Sequence, residues 1–252
     1  MRSKIIKSKM ARQRFENLGN GIQVAIDKEF SFGLDSFLLA RFVSPQPFES
    51  GYDLGAGSGI LSFLLLRWQE KLGRFYAVDL QQRAMCLLKK AVLLSHAQGR
   101  VVPVCCDFRG LSPLEKANLI VSNPPYYDIS SGKQNNNRAV NIARHTVYGG
   151  LYDLLETAGR LLCSGGRLCF CYKPERLAEI FFLMRQVRLE PKRLQMVAKD
   201  VSSAPWLCLI EGRKEAKTGL EICPQFLVYD TEGNLTEMTK NVYPLNWEGS
   251  RS

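Results

Sequence analysis

Histidine is almost missing from this chain: 252 residues hold two, His96 and His145. Its eight cysteines, at 86, 105, 106, 163, 169, 171, 208 and 223, form no CxxC pair. The cysteine and histidine spacing of a zinc site is therefore absent, and no metal is expected. The P-loop pattern G-x-x-x-x-G-K-[ST] and the dinucleotide fingerprint G-x-G-x-x-G are missing too, which argues against both kinds of phosphate cradle. No apolar run approaches the ~20 residues of a membrane span; the longest lies around Gly59–Leu66. The basic opening MRSKIIKSKMARQRF has no apolar stretch behind it, so neither a signal peptide nor a membrane partner is expected. Nothing repeats at a fixed period, and no Pro/Gly/Ser-rich linker divides the chain.

What is present is ordinary globular composition, 46% hydrophobic and 23% charged, with a surplus of positive charge. Thirty-four Lys and Arg stand against 24 Asp and Glu, net +10. Such an excess is silent on fold and favours a polyanionic partner. Most cysteines lie in apolar runs (VVPVCCDF, GGRLCFCY, WLCLIEG), where a free thiol behaves as a small hydrophobe; a reducing cytoplasm is expected. Residues 1–16 carry Arg2, Lys4, Lys7, Lys9, Arg12 and Arg14 against Glu16 and read as a flexible basic arm. FSFGLDSFLLARFV, 30–43, reads as a lead-in helix with Asp35 as its N-cap. The expected organisation is therefore an arm and lead-in helix over 1–45, then one domain over 46–252.

From residue 51 the pattern alternates. Strands are expected at 51–54, 74–80, 100–107, 117–123 and 166–172, with helices at 58–68, 81–98, 151–162 and after Pro174. Apolar strands alternating with helices imply a mostly parallel sheet with helices on both faces, an α/β Rossmann-like architecture. Residues 187–197 and 206–212 lack an intervening helix and read as an antiparallel pair at the sheet's C-terminal end.

The chemistry concentrates in strand-end loops. Asp53-Leu54-Gly55-Ala56-Gly57-Ser58-Gly59 leaves a strand and opens a helix. Its glycines let backbone lie against a ligand in front of a helix N-terminus. The acid before the loop suits a cationic ligand better than a pyrophosphate. Asp79 ends the next strand, placed to take both ribose hydroxyls, and Asp107 ends the third. Three strand-end acids on one crevice describe a nucleoside site. Asn123-Pro124-Pro125-Tyr126 leaves the fourth strand at the same edge. The N6 amine of adenine is a poor nucleophile, because its lone pair is delocalised into the ring. Two acceptors, the Asn123 side-chain oxygen and the Pro124 carbonyl, can hold its two hydrogens and steer the lone pair outward. The prolines keep those acceptors aimed, and Tyr126 offers a stacking face.

The D-x-G-x-G-x-G loop with Asp79 and Asp107 resembles the class I S-adenosylmethionine-dependent methyltransferases, whose sheet has seven strands. The resemblance implies S-adenosylmethionine as methyl donor. Asp53, Gly55, Gly57 and Gly59 would lie near the methionine end, with Asp35 in the lead-in against it. Asp79 would sit on the ribose, Asp107 by the adenine, and Asn123 beside the cofactor as well. The NPPY motif belongs to methyltransferases acting on planar amines. FSFGLDSFLLARF, DLGAGSGILS, SNPPYY, Ala143-Arg144-His145, GGRLCFCYKPERLAEI, EPKRLQMV and LIEGRK together resemble the bacterial tRNA1(Val) adenine-37 N6-methyltransferases over about residues 15–243. That likeness implies an anticodon-loop adenine as substrate, with Asn123, Pro124 and Tyr126 in catalysis. Pro125, Tyr126, Arg144 and His145 would contact the RNA, and no obligate protein partner is implied. The chain departs from that family at Thr146, where an acid usually stands, and over Ser202–Trp206.

Two other classes remain open on sequence alone. A protein glutamine N5-methyltransferase would use the same NPPY, though the net charge and the lack of an N-terminal helical domain count against it. A non-catalytic RNA-binding module could keep the fold; cofactor titration separates it from an enzyme.

Overall fold

The structure is a computed structural model that describes residues 13–27, 30–125 and 150–242. The chain opens with two strands, β1 (Arg14–Gly19) and β2 (Ile22–Ile26), paired as an antiparallel hairpin. Asn20 and Gly21 make the turn, with φ of 52° and 75°. Both central residues at positive φ match the twist of a tight hairpin, which is why Asn-Gly stands there. The arm expected over 1–16 therefore ends at residue 13 or earlier: Arg14 already belongs to ordered sheet.

Helix α1 (Leu34–Val43) follows, then β3 (Gly51–Leu54), α2 (Ile60–Trp68), β4 (Phe75–Asp79), α3 (Gln82–Leu94), β5 (Val101–Cys105) and β6 (Ala117–Ser122). Beyond residue 150 come α4 (Leu151–Leu161), β7 (Leu162–Tyr172), α5 (Leu177–Gln186), β8 (Leu189–Ala198) and β9 (Leu207–Lys214). Two-residue strands β10 (Glu221–Ile222) and β11 (Phe226–Leu227) and a short helix α6 (Glu237–Lys240) end the described chain. The sheet runs β10-β8-β9-β7-β6-β3-β4-β5, with β11 also on β8. Its seven longer strands are those the sequence implies. β10 and β11, too short to leave a period, raise the total among the described residues to nine.

Strands β3 to β7 are mutually parallel, and β9 runs antiparallel between β7 and β8. The antiparallel pair is therefore interlocked with the parallel body. Side chains alternate across the sheet as the two-residue period demands. Phe75, Ala77, Leu119, Val121, Cys169 and Cys171 face α1, α2 and α3. Tyr52, Tyr76, Ile120, Leu168 and Phe170 face α4 and α5. Helix α2 is buried from Ile60 to Leu66, apolar on every side. Such a helix needs cover on its outer face, and the hairpin supplies it. Helix α3 stops at Leu94, four residues before the pattern suggests. The Ser95 hydroxyl turns to the hairpin, accepting from Gln23 N at 2.8 Å and donating to Gln23 O at 2.9 Å, and His96 takes φ 49°. Among the described residues no helix is long and apolar enough to cross a membrane.

The step that positions the site is the change of direction in strand order. From β3 the chain moves outward through β4 and β5, then returns to place β6 on the other side of β3. The loops after β3 and β6 leave adjacent strands in opposite senses, which opens a crevice at the carboxyl edge of the sheet.

Candidate active site

The crevice walls begin with Asp53. It is 1% exposed on β3, and its Oδ2 accepts from Ser62 N at 3.1 Å and Ser62 Oγ at 2.9 Å. Ser62 lies in the first turn of α2, so a strand-end carboxylate holds the start of a helix. Burial raises the acid to about 7, against the lowering pull of the Ser62 donors and with some help from the charge on Asp79.

The loop between Asp53 and α2 turns on three glycines at positive φ: Gly55 at 74°, Gly57 at 55° and Gly59 at 86°. Gly55 and Gly59 differ in what surrounds them. Among the described residues, a Cβ on Gly55 or Gly57 would meet nothing within 4 Å, whereas one on Gly59 would lie 2.3 Å from Leu88 Cδ1. The first two border space that no described residue fills; the third is the contact between loop and α3.

Asp79 closes β4, 8% exposed. Its Oδ2 accepts from Gly57 N at 2.9 Å, and its Oδ1 from Gln81 N at 2.8 Å. The acid is thus locked to the glycine loop and aimed by backbone on both sides. Burial raises its pKa, offset by those two amides. Asp107 is placed otherwise. It caps a single 3₁₀ turn at Phe108–Gly110, accepting from Arg109 N at 3.0 Å, and pairs with the Arg109 side chain at 2.5 Å. The guanidinium holds its pKa below the usual carboxylate range. Of the three expected acids, Asp53 and Asp79 are buried beside the glycine loop, and Asp107 is engaged by its own neighbour.

Asn123 follows β6 directly, and Pro124 and Pro125 emerge progressively toward solvent. Asn123 Nδ2 donates to Ser36 Oγ at 3.2 Å, and Cys171 Sγ donates to Asn123 Oδ1 at 3.1 Å. Helix α1 thus reaches the crevice through Ser36. Its N-cap is Gly33, not Asp35; Asp35 is the second residue of the helix. An acid inside the first turn still favours the positive helix end. Tyr126, Arg144 and His145 lie outside the described residues. Ser36 and Cys171 escape sequence reasoning, because a serine in a helix and a cysteine in a strand carry no local mark of shared purpose. Among the described residues, no three His, Cys, Asp or Glu side chains are grouped to hold a metal ion.

The chain has counterparts among known proteins. The methyltransferase small domain family matches residues 33–187. The tRNA1(Val) (adenine(37)-N6)-methyltransferase of Parabacteroides distasonis is 28% identical over 181 residues, covering 71% of this chain and 75% of that protein. Its namesake from Tolumonas auensis is 29% identical over 195 residues, 74% and 78% of the two chains. Among solved structures, a predicted O-methyltransferase from Agrobacterium tumefaciens superposes with a TM-score of 0.66 at 18% identity, over 82% of this chain and 94% of that one. A tRNA m1G37 methyltransferase from M. jannaschii gives 0.58 at 18% identity, covering 83% and 56%. At such identities the structural likeness shows the fold, a Rossmann-like sheet flanked by helices.

Proposed function

Because this chain belongs to the methyltransferase small domain family, we propose that it transfers a methyl group from S-adenosylmethionine to the exocyclic N6 amine of an adenine in tRNA. The relatives' names point to adenine 37 of tRNA1(Val), in the anticodon loop. The observation that carries the reading is the meeting of two loops at one crevice: the Asp79-braced glycine turn after β3, and Asn123-Pro124-Pro125 after β6.

The residues fit a bound nucleoside sulfonium. Gly55 and Gly57 face open space that a side chain would fill, and Asp79 stands fixed beside them. In this reading these three hold the donor, with Asp35 and Asp53 toward its amino-acid end and Asp107 toward its base. When bound, the donor supplies an electrophilic methyl group. Asn123 Oδ1 and the Pro124 carbonyl accept the two amine hydrogens and hold the nitrogen lone pair out of the ring plane. Pro124 and Pro125 limit backbone motion, so the acceptors need little reorganisation as charge develops. Tyr126 stacks the base, and Arg144 and His145 contact the RNA. A loop adenine reaches such a crevice at modest cost, since single-stranded bases splay out readily. No strong base is required: the methylated nitrogen is acidic and loses its proton to solvent. The same reading places the chain in the reducing cytoplasm, which suits eight cysteines of which none is in a disulfide.

The test is incubation with methyl-labelled donor and total tRNA, followed by nucleoside mass spectrometry. N6-methyladenosine mapping to one anticodon loop is expected. Label in protein glutamine, or in no acceptor despite donor binding, would overturn the reading in favour of the two alternatives.

A further inference from the structure

Resting on that reading, the geometry points to Ser36 and Cys171 as positioning residues: together they set the amide plane of Asn123 before substrate arrives. Neither belongs to the glycine loop or to the Asn-Pro-Pro segment. Their placement follows from register. In the β6–β7 pair Val121 stands opposite Cys169 and Ser122 opposite Phe170. The next step puts Asn123 beside Cys171, on the face turned to α1. Cys171 is 0% exposed and Ser36 is 2% exposed, so both partners are sheltered from competing water.

The two ends of an amide are not equivalent for this chemistry. An amine with two hydrogens to dispose of needs the oxygen; the amide's own NH2 would face it donor to donor. A serine hydroxyl accepts or donates and can meet either end. The thiol donates to Oδ1 at 3.1 Å, while Ser36 Oγ accepts from Nδ2 at 3.2 Å. The two bonds together fix the amide plane, with Oδ1 toward β7 and Nδ2 toward α1. An amide oxygen has two lone pairs, so the thiol and a substrate hydrogen can share it. The consequence is preorganisation: the amide is already turned, and no rotation is left for the step in which the nitrogen attacks.

The test compares Cys171→Ala, Cys171→Ser and Ser36→Ala with Cys208→Ala as a matched control. Cys208 is equally buried, and its thiol donates to the Tyr172 carbonyl at 3.2 Å. Under single turnover Cys171→Ala should lower kcat by ~10–100-fold, the scale set by an ångström of misplacement. KM for tRNA and the affinity for S-adenosylhomocysteine should not move. Cys171→Ser, which restores a donor, should recover most of the loss, and Cys208→Ala should turn over as the parent does. Parent-like kcat in Cys171→Ala, or a serine variant no better than alanine, would overturn the assignment. A second readout is independent of activity. The Asn123 side-chain amide signals in a ¹H–¹⁵N spectrum, identified by their loss in Asn123→Ala, should shift and broaden in Cys171→Ala. An unchanged amide pair would overturn the positioning role, whereas a parent that methylates no adenine would instead overturn the function it rests on.

Discussion

Asp53 is an acid whose ionised form the fold resists. Its folded pKa is about 7, against 3.8 for an ordinary aspartate, with burial as the leading cause. Between those values the folded chain keeps a proton that the unfolded chain has released. Stability from this group is full below about pH 4, falls as pH rises toward 7, and is level above. Asp53→Asn keeps an acceptor for both Ser62 donors and removes the ionisation. The variant should match the parent near pH 4 and melt higher at pH 8, on the order of 5–10 °C. Parallel melting curves across a pH series would refute this. Asn123 makes the opposite kind of contribution, one to rate. Asn123→Ala should cost ~10²–10³ in kcat, as loss of one preorganised polar group does. Donor binding should survive, because Gly57 and Asp79 are untouched. Asn123→Asp retains an oxygen but not the amide's donor to Ser36, and should fall between parent and alanine. Single-turnover rates beside calorimetric titration with S-adenosylhomocysteine separate the two effects.

At the scale of elements, the glycine turn divides into a part that faces ligand and a part that faces protein. Gly57→Ala puts a methyl group in open space at positive φ; Gly59→Ala drives one into Leu88 of α3. The first should cost ~1–2 kcal/mol of stability through the left-handed backbone alone and abolish donor binding. The second should cost more stability, through overlap as well as strain. Thermal melts with and without donor distinguish them: a donor-induced rise in Tm should vanish in Gly57→Ala. The strands were legible because their apolar runs end at Asp53, Asp79 and Asn123, and the crevice followed from those ends. The hairpin was not: its Asn20-Gly21 signal sits between RFENLG and IQVAI, but the basic residues ahead of it masked the alternation. The ion pair of Asp107 with Arg109 was hidden for a related reason. A strand-end acid looks the same whether it awaits a ligand or pairs with Arg109, two positions along.

Across the whole molecule the two edges of the sheet carry charge differently. At the amino edge Arg167, Arg193 and Arg213 converge on buried Glu211, and Glu49 also takes Arg167. A cleft of about 750 Å³ lies among them. Its guanidinium groups are matched to carboxylates and backbone carbonyls of the same chain, which marks an ionic clasp between the α1–β3 loop, β7 and β9. The described chain begins near the carboxyl edge. Arg14 pairs with Ile26, and the next residue, Asp27, takes Arg83 at 2.8 Å from the first turn of α3, just past the end of β4. The described chain thus starts on the side of the crevice, and ahead of it, outside the described residues, come residues 1–12. They contain Arg2, Lys4, Lys7, Lys9 and Arg12 and no acid, half of the net +10. If those charges meet tRNA phosphates, each contact releases counterions, and log affinity falls with log salt by ~0.7–0.9 per contact. Deleting residues 1–12 should leave the melting temperature unchanged, because the hairpin begins at Arg14. The salt slope for tRNA should flatten by up to ~3.5–4.5, with the largest affinity loss at low salt. Donor affinity should be untouched. Fluorescence titration at ~50 and ~200 mM salt spans the range where the change is steep. A truncated chain with the parent's slope would mean that the phosphates are met by the folded body, and that the basic opening takes no part in binding.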